Sequence, residues 1–544
     1  MDSRATEIIK RGDRLYSKRQ TLMSLWQEIA EQFYPERADF TVTRNLGQDF
    51  ASHLTTSYPL LARRELGNNF STMLRPLGTE WMTIGVARED KLDHEGRLWL
   101  DEMTRRQFRA MSDRKSLFDR ATSEADQDYA TFGQAVISVE MNSSLDRLLY
   151  RCHHLRDVAW SEGHEGSIDE VHVKWHADAQ QVVDKFPKTA SQKLKNAAKK
   201  DPCFKVECRR VVMKAERYSD KKWKTPFVSV YIDVTHQEVL EESGSWDLIY
   251  AIPRWQTVSG SQYAYSPATV AALPDARLIQ AISLVLLEAG EKNIDPPLLA
   301  VEEALRSDVN LIAGGITFID ADYDERLGEV LRPLTRDKSG MPLGLEMQQD
   351  IREMISQAFF LNKLNLPPAG DGTMTAYEVG QRIQEYIRAA APLFGPTLTE
   401  YNGQICDLTF ERLRRNGLFG SDAEIPQSLL GQDIEFKFES PLHDAMERAK
   451  SQKFMEVKGL LREAADLDPG VVANVNINAA FRDAALGLGS PASWLVSEEE
   501  VAETQQALKD RQEGEEVAQG MMQAGQVVQQ AGNAGQALNA AMAG

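Results

Sequence analysis

Between Leu278 and Ala289 the chain reads LIQAISLVLLEA, which as a helix puts apolar side chains around most of its circumference. A helix of that kind must be covered on more than one side, by the core of its own chain or in part by another copy. Its flanks are equally constrained. Ser266 and Pro267 supply an N-cap and an N1 proline, Leu278, Ile282, Val285, Leu286 and Ala289 carry the helix after Pro274 to Asn293, and Pro296 and Pro297 end it. A second helix, Met347 to Asn362, aligns Met347, Ile351, Met354, Ile355, Ala358 and Leu361 on one face. Residues 298–345 between the two hold short β-prone pieces, Gly315 to Ile319 and Glu329 to Leu334, with glycine turn signals, and read as a hairpin-bearing insertion.

The segment Leu364 to Met374 carries Pro367, Pro368, Gly370 and Gly372 and reads as a loop. Thr375 and Glu378 then form a capping box that opens a long helical run, whose apolar stripe continues from Val379 to Leu408. Pro392 and Pro396 each remove a backbone donor, so a kink or break is expected close to Gly395.

The N-terminal region is mainly helical, with one amphipathic helix expected over Thr6 to Phe33, another over Tyr58 to Leu74 and a charged one over His94 to Ser112. After Gly133 the period changes. Strands are expected at Ala135 to Met141, around Ile168 to Trp175, and at Phe204 to Lys214, Pro226 to Val234 and Leu248 to Trp255, with helices at Ala179 to Phe186 and Ala190 to Lys200. Further on, Ile434 to Glu439 reads as a strand and His443 to Glu463 as a helix, followed beyond Ser497 by an Ala-, Gln- and Gly-rich tail that suits self-packing or disorder. The fold class is α+β, predominantly helical.

A net charge of −19 argues against tight nonspecific binding to phosphates. Four scattered cysteines do not make a disulfide framework, and the start lacks the apolar core of a signal peptide. The window Leu278 to Ala289 is too short for a membrane span. No GxxxxGK[ST], HExxH or GxSxG occurs, so catalysis has no identifiable carrier. Asp320, Asp322 and Asp324 resemble part of a calcium loop, but Glu325 and Leu331 occupy the positions that need glycine and a bidentate glutamate. Cys152, His153, His154, Cys203 and Cys208 match no zinc spacing. No catalytic, cofactor or metal residues are assigned.

Four segments, in order, resemble the head-to-tail connector, or portal, proteins of short-tailed bacteriophages. They are Asn69 to Val86, NFSTMLRPLGTEWMTIGV; Thr131 to Glu140, TFGQAVISVE; Pro253 to Ala276, PRWQTVSGSQYAYSPATVAALPDA; and Ala358 to Arg382, AFFLNKLNLPPAGDGTMTAYEVGQR. In the third, Ala264 stands where that family usually has glycine, which puts the local turn in question. The resemblance implies the portal fold: a wing over 1–262, stem helix 1 over 263–293, a clip over 294–345, stem helix 2 over 346–363, a channel loop over 364–374, a long kinked helix returning to the wing over 375–440, and a C-terminal crown or barrel over 441–544.

The resemblance also implies a ring of about twelve copies at one capsid vertex, through which double-stranded DNA is packaged and ejected and on which the tail is attached. Partners would be the major capsid protein, the terminase motor during packaging, a tail adaptor afterwards, and scaffolding or internal core proteins, without a membrane. The protein would assemble in the bacterial cytoplasm and reside in the virion. Stem contacts would come from Leu278, Ile282, Val285, Leu286, Ile351, Ile355 and Phe359. The loop facing DNA would be Lys363, Leu364, Asn365, Leu366, Pro367, Pro368, Gly370, Asp371, Gly372 and Thr373, with Arg306, Arg326, Arg332, Arg336 and Lys338 as clip contacts. Two other readings remain open here, a different tail or scaffolding protein and a metal-dependent nucleic-acid-processing enzyme. Deleting 366–372 is expected to leave assembly intact and impair DNA retention, with unchanged virion yield as the contrary result.

Overall fold

A computed structural model describes residues 3–438 apart from 46, 50, 77, 79, 88–91, 219–222, 396, 421–424, most of 301–339 and 365–394, and beyond 438 it describes 457–464 and a few single positions. The expectations for 365–374, for the Thr375 and Glu378 cap, for Arg306, Arg326, Arg336 and Lys338, and for nearly all of the C-terminal tail lie outside these residues.

Two compact units are present, one of Met1–Thr83, Arg105–Gly420 and Phe436–Ala445, the other of Ile84–Thr104, Ser421–Glu435 and Met446–Gly544. In the second, the Asp93 carboxylate accepts hydrogen bonds from the Gly96 amide at 2.7 Å and the Ser428 hydroxyl at 2.6 Å, while the Thr104 hydroxyl accepts from the Ile84 amide at 3.0 Å.

In chain order the elements begin with α1 (Ser3–Lys18), α2 (Gln20–Phe33) and α3 (Tyr58–Leu74), followed by β1 (Met82–Val86), α4 (His94–Met111) and α5 (Phe118–Phe132). The single helix expected over Thr6 to Phe33 is two. The chain breaks at Arg19, whose buried guanidinium donates to the carbonyls of Leu155 at 2.6 Å and Arg156 at 2.5 Å. A tertiary demand for those two bonds overrides a local pattern that would have run straight through.

Next comes a hairpin of β2 (Ile137–Met141) and β3 (Leu148–Cys152), then a five-stranded antiparallel meander of β4 (Val158–Glu162), β5 (Ile168–Asp178), β6 (Lys205–Lys214), β7 (Phe227–Asp233) and β8 (Glu238–Ser245). Between β5 and β6 stand α6 (Ala179–Lys185) and α7 (Gln192–Lys200), and a single turn, α8 (Ala215–Tyr218), follows β6. The period of two gives the sheet two apolar faces. On one, Ala5, Ile8 and Ile9 of α1 pack on Val211, Met213, Val228, Val230 and Ile232. On the other, Val182, Phe186, Leu194 and Ala198 of the α6–α7 lobe pack on Ala177, Val206, Cys208 and Leu240.

The strand expected over Leu248 to Trp255 is reduced to β9 (Tyr250–Ala251), and just beyond it β10 (Gln256–Thr257) pairs with β11 (Ala264–Tyr265). From there α9 (Pro267–Ile294) runs as one helix with Pro274 inside it. That is longer than the window judged too short for a membrane span, and by length and composition alone α9 could cross one; a third of its most apolar window (33%) is buried in protein. The hairpin β12 (Leu298–Ala300) with β13 (Leu331–Pro333), the latter containing Arg332, leads into α10 (Gly340–Ala358), which starts before the expected Met347, and then α11 (Leu361–Leu364). A π-helical turn at Leu398–Gly403 precedes α12 (Gln404–Arg415), shortly after the place where the prolines predict a break, and β14 (Ile434–Phe438) follows.

One buried group in the sheet makes stability depend on pH. His172, on the α1 face, is fully buried beside Glu170, 2.8 Å away, and burial holds its imidazole below the ordinary 6.5 against the pull of that carboxylate. The unfolded chain takes up a proton near 6.5 and the folded chain only at lower pH. Stability from this group is therefore complete above 6.5 and declines as pH falls toward the folded value. His172→Gln is expected to flatten the decline in urea midpoint on acidification below pH 6.5 relative to the parent; parallel curves would show that His172 does not set it.

Candidate functional site: the root of the long apolar helix

The four segments that carry the family resemblance meet at one place, the start of α9. Helix α5 ends in Gly133, which adopts φ +73°, and its carbonyl accepts from the Trp255 amide at 2.8 Å. A Cβ at this position would lie 2.1 Å from the Tyr265 carbonyl carbon and 2.3 Å from the Ser266 nitrogen, so only glycine permits the two backbones to cross. Immediately beyond the crossing the N-cap expected at Ser266 is present. Its hydroxyl accepts from the Thr269 amide at 3.4 Å and donates to the Ala130 carbonyl at 2.7 Å, and the Thr269 hydroxyl donates to the Thr131 carbonyl at 2.8 Å. The root of α9 is thus tied to the end of α5 by buried hydrogen bonds.

Ala264 fits where the family usually has glycine because the turn's left-handed residue is Gly260, at φ +86°, and Ala264 itself lies in β11, its amide donating to the Gln134 side chain at 3.0 Å.

Rings from distant parts of the sequence fill the space beside this crossing. Trp255 stacks on Tyr129 with centroids 5.5 Å apart, Phe70 meets both edge-on at 5.1 and 5.3 Å, Tyr401 lies 5.4 Å from Tyr129, and Phe360 lies 6.3 Å from Trp255. Phe360 holds φ +59° at the end of α10, a strained conformation for an aromatic residue that turns the chain into α11. A buried polar pair completes the group. Arg75 Nη2 donates to both oxygens of Asp126 at 2.5 Å, its Nη1 donates to the Asn402 side-chain oxygen at 2.8 Å, and the guanidinium lies over the Tyr401 ring. Removing either charge would leave the other buried and unpaired, a loss of about 3–5 kcal/mol. Sequence patterns missed Arg75–Asp126 as a pair. Asp126 belongs to α5, which was not foreseen, and nothing local joins it to residue 75 or 402.

Outward from the root, α9 packs on α10. Leu286 rests against Gly344, where an added Cβ would sit 2.8 Å from the Leu286 side chain, and the Gln348 side chain donates to the Ser283 hydroxyl at 2.8 Å. Gln280 is held by the Thr55 and Thr56 amides at 2.8 and 2.9 Å, and Arg277 pairs with Glu28. The seven residues proposed as stem contacts divide into groups. Ile351, Ile355 and Phe359 are buried in the chain's own core, Phe359 against Phe33 at 5.4 Å; Ile282 and Leu286 are half-buried; Leu278 and Val285 face solvent. Val285 is 64% exposed, and Leu278, Leu284 and Leu287 are each roughly half exposed, whereas Ala272, Ala276, Ile279 and Ser283 of the same helix are buried. Lys363 and Leu364 fall in α11, at the end of the described stretch.

The remaining candidate chemistry is dispersed. Cys152 points to Asp128 at 3.9 Å, His153 to Ser138 at 3.0 Å and His154 to Asp39 at 2.6 Å. Cys203 is exposed and Cys208 is buried. Among the described residues no group of three His, Cys, Asp or Glu side chains is placed to hold a metal. What the arrangement does is fix where α9 starts, through the Gly133 crossing and the Ser266 and Thr269 hydrogen bonds.

Because the crossing tolerates no side chain, Gly133→Ala is expected to lower the yield of folded protein or its denaturation midpoint sharply, by about 1–3 kcal/mol or more as in an overpacked core, whereas Gly290→Ala, in open space within α9, should be neutral to mildly stabilising. Equal effects would remove the significance given to the crossing.

Comparison with known proteins gives the same direction. Residues 5–496 match the family described as bacteriophage head to tail connecting protein. The probable portal protein of Bordetella phage BPP-1 is 24% identical over 482 residues, covering 86% of this chain and 84% of its own. The portal protein of Salmonella phage epsilon15 is 20% identical over 536 residues, with 94% of each chain covered. A chain from the virion of a native gene transfer agent particle aligns over 74% of this chain and 86% of its own at 11% identity and a TM-score of 0.31, too remote to add to the assignment. With a family match across nearly its whole length, the chain belongs to the bacteriophage head-to-tail connecting proteins.

Proposed function

We propose that the chain is one subunit of a portal ring at a single capsid vertex, a structural conduit for double-stranded DNA and not an enzyme. The observation that carries this reading is the set of large apolar side chains of α9, Leu278, Leu284, Val285 and Leu287, that stay open to solvent on a helix already packed against α10. Each such side chain gains on the order of 1–2 kcal/mol when a neighbour covers it. A closed ring of identical subunits supplies the cover, since one surface of each protomer meets a different surface of the next. The two portal relatives, alike over 84% and 94% of their lengths, support the same assembly.

On this reading α9 and α10 are the stem, the β12–β13 hairpin belongs to the clip, and residues 364–374 approach the DNA. Lys363 and the clip residues Arg306, Arg326, Arg332, Arg336 and Lys338 would offer a few isolated phosphate contacts on a chain whose net charge of −19 prevents the wall from gripping a polyanion. Twelve copies, the capsid protein, the packaging motor, a tail adaptor and internal proteins are the partners this role requires. Negative-stain images and native mass of the purified protein should show hollow rings. Val285→Asp with Leu278→Asp is expected to abolish them while leaving helical circular dichroism intact; rings that survive the double substitution would refute the assignment of this face.

A further inference from the structure

The α6–α7 lobe carries a charge pattern opposite to that of the rest of the chain. From Lys185 to Lys200 there are six lysines and no acid, in a protein of net charge −19. Lys185 is engaged: its ammonium lies 4.2 Å from the Tyr231 ring and 4.9 Å from that of Trp175. Beyond the lobe, Lys205 at the start of β6 pairs with Asp178 at 2.7 Å. The flanking acids are also occupied, Asp184 by the Gln180 side chain at 2.7 Å and Asp201 by the Cys203 amide at 3.1 Å. Lys188, Lys193, Lys195, Lys199 and Lys200 form no ion pair among the described residues.

The lobe presents these charges on a fixed frame. Leu194 and Ala198 anchor one side of α7 in the core, and the Ser191 hydroxyl caps its start by accepting from the Leu194 amide at 3.2 Å. Lysines at a helix C-terminus favour the helix dipole, which accounts for Lys199 and Lys200 but not for the other three. A protein partner would call for a buried apolar or aromatic anchor, and lysine is depleted from such interfaces. No large apolar side chain within Ala179–Lys200 is exposed. Phosphodiester groups need only positive point charges spread along a surface, which is what the lobe offers.

We propose that the α6–α7 lobe binds the phosphate backbone of duplex DNA without regard to sequence, at a site separate from the stem, clip and loop residues named above. That the DNA is the packaged genome rests on the ring reading; the phosphate chemistry does not. Retention by lysines is salt-sensitive and reversible, so the lobe would hold DNA loosely and release it as counterions compete.

The test measures binding of a fluorescent DNA duplex to the purified full-length chain across a salt series. Two variants are used, one with Lys188, Lys193, Lys195, Lys199 and Lys200 all changed to glutamine, the other K193E/K195E. The expected result is at least tenfold weaker binding near 50 mM salt, with the slope of log affinity against log salt shallower by roughly one for each lysine removed. Unchanged affinity and slope would overturn the proposal, as would competition by polyglutamate equal to that by unlabelled duplex, which would make the lobe a dock for acidic protein. Negative-stain imaging of the same samples separates the two readings: rings without duplex binding sink this inference alone, and duplex binding lost in the lysine variants without any rings sinks the ring alone.

Discussion

The crossing of two backbones at Gly133 is the constraint from which the larger unit is organised. Helix α5 must end there in a left-handed residue without a side chain so that Tyr265 and Ser266 can pass over it, and Ser266 then caps α9 from that position. The direction in which α9 leaves the body is set by hydrogen bonds from Ser266 and Thr269 to the last carbonyls of α5. Phe70, Tyr129, Trp255, Phe360 and Tyr401 fill the surrounding space, and Arg75 with Asp126 makes their arrangement specific, since a misplaced ring would leave a buried charge unmatched.

A rigid root gives meaning to the two faces of the helix it holds. Along α9 one face is consumed by α10, and Gly344 allows Leu286 to settle closely there. Elsewhere around α9, Leu278, Leu284, Val285 and Leu287 keep large apolar side chains in water, surface that the proposed neighbouring copy would cover. The sheet beyond is built differently, with both faces covered by the chain itself, by α1 and by the α6–α7 lobe. The sheet thus buries both of its faces within the chain, whereas the helix pair leaves apolar side chains exposed, the surface assigned to a neighbour under the proposed function.

Much of this was legible in the residues. Tyr58–Leu74 and Lys205–Lys214 lie within a residue of their expected bounds, and Ser266-Pro267 marked the start of α9 through local capping chemistry. The failures share a cause in distance along the chain. Arg19 splits a continuous pattern to reach carbonyls more than a hundred residues away, and β8, reading EVLEESGS, has too few apolar residues to announce a strand and exists because β7 pairs with it. The site was visible only as four motifs in order; that they converge on one aromatic cluster required the fold. Which stem residues are spent inside the protomer was equally hidden, since Ile355 and Val285 look alike in sequence and differ only in what lies opposite.

Membership in the connecting-protein family, a fixed start for α9 and a net charge of −19 fit the proposed role, a wall that closes around DNA without seizing it. The central claim is that the free face of α9 is covered by the next copy. A single cysteine at position 285, in a background where the exposed Cys203 is serine, would report it through its rate of thiol labelling in the assembled particle and in the dissociated chain. Strong protection on assembly is the predicted result; equal labelling in both states would contradict the account.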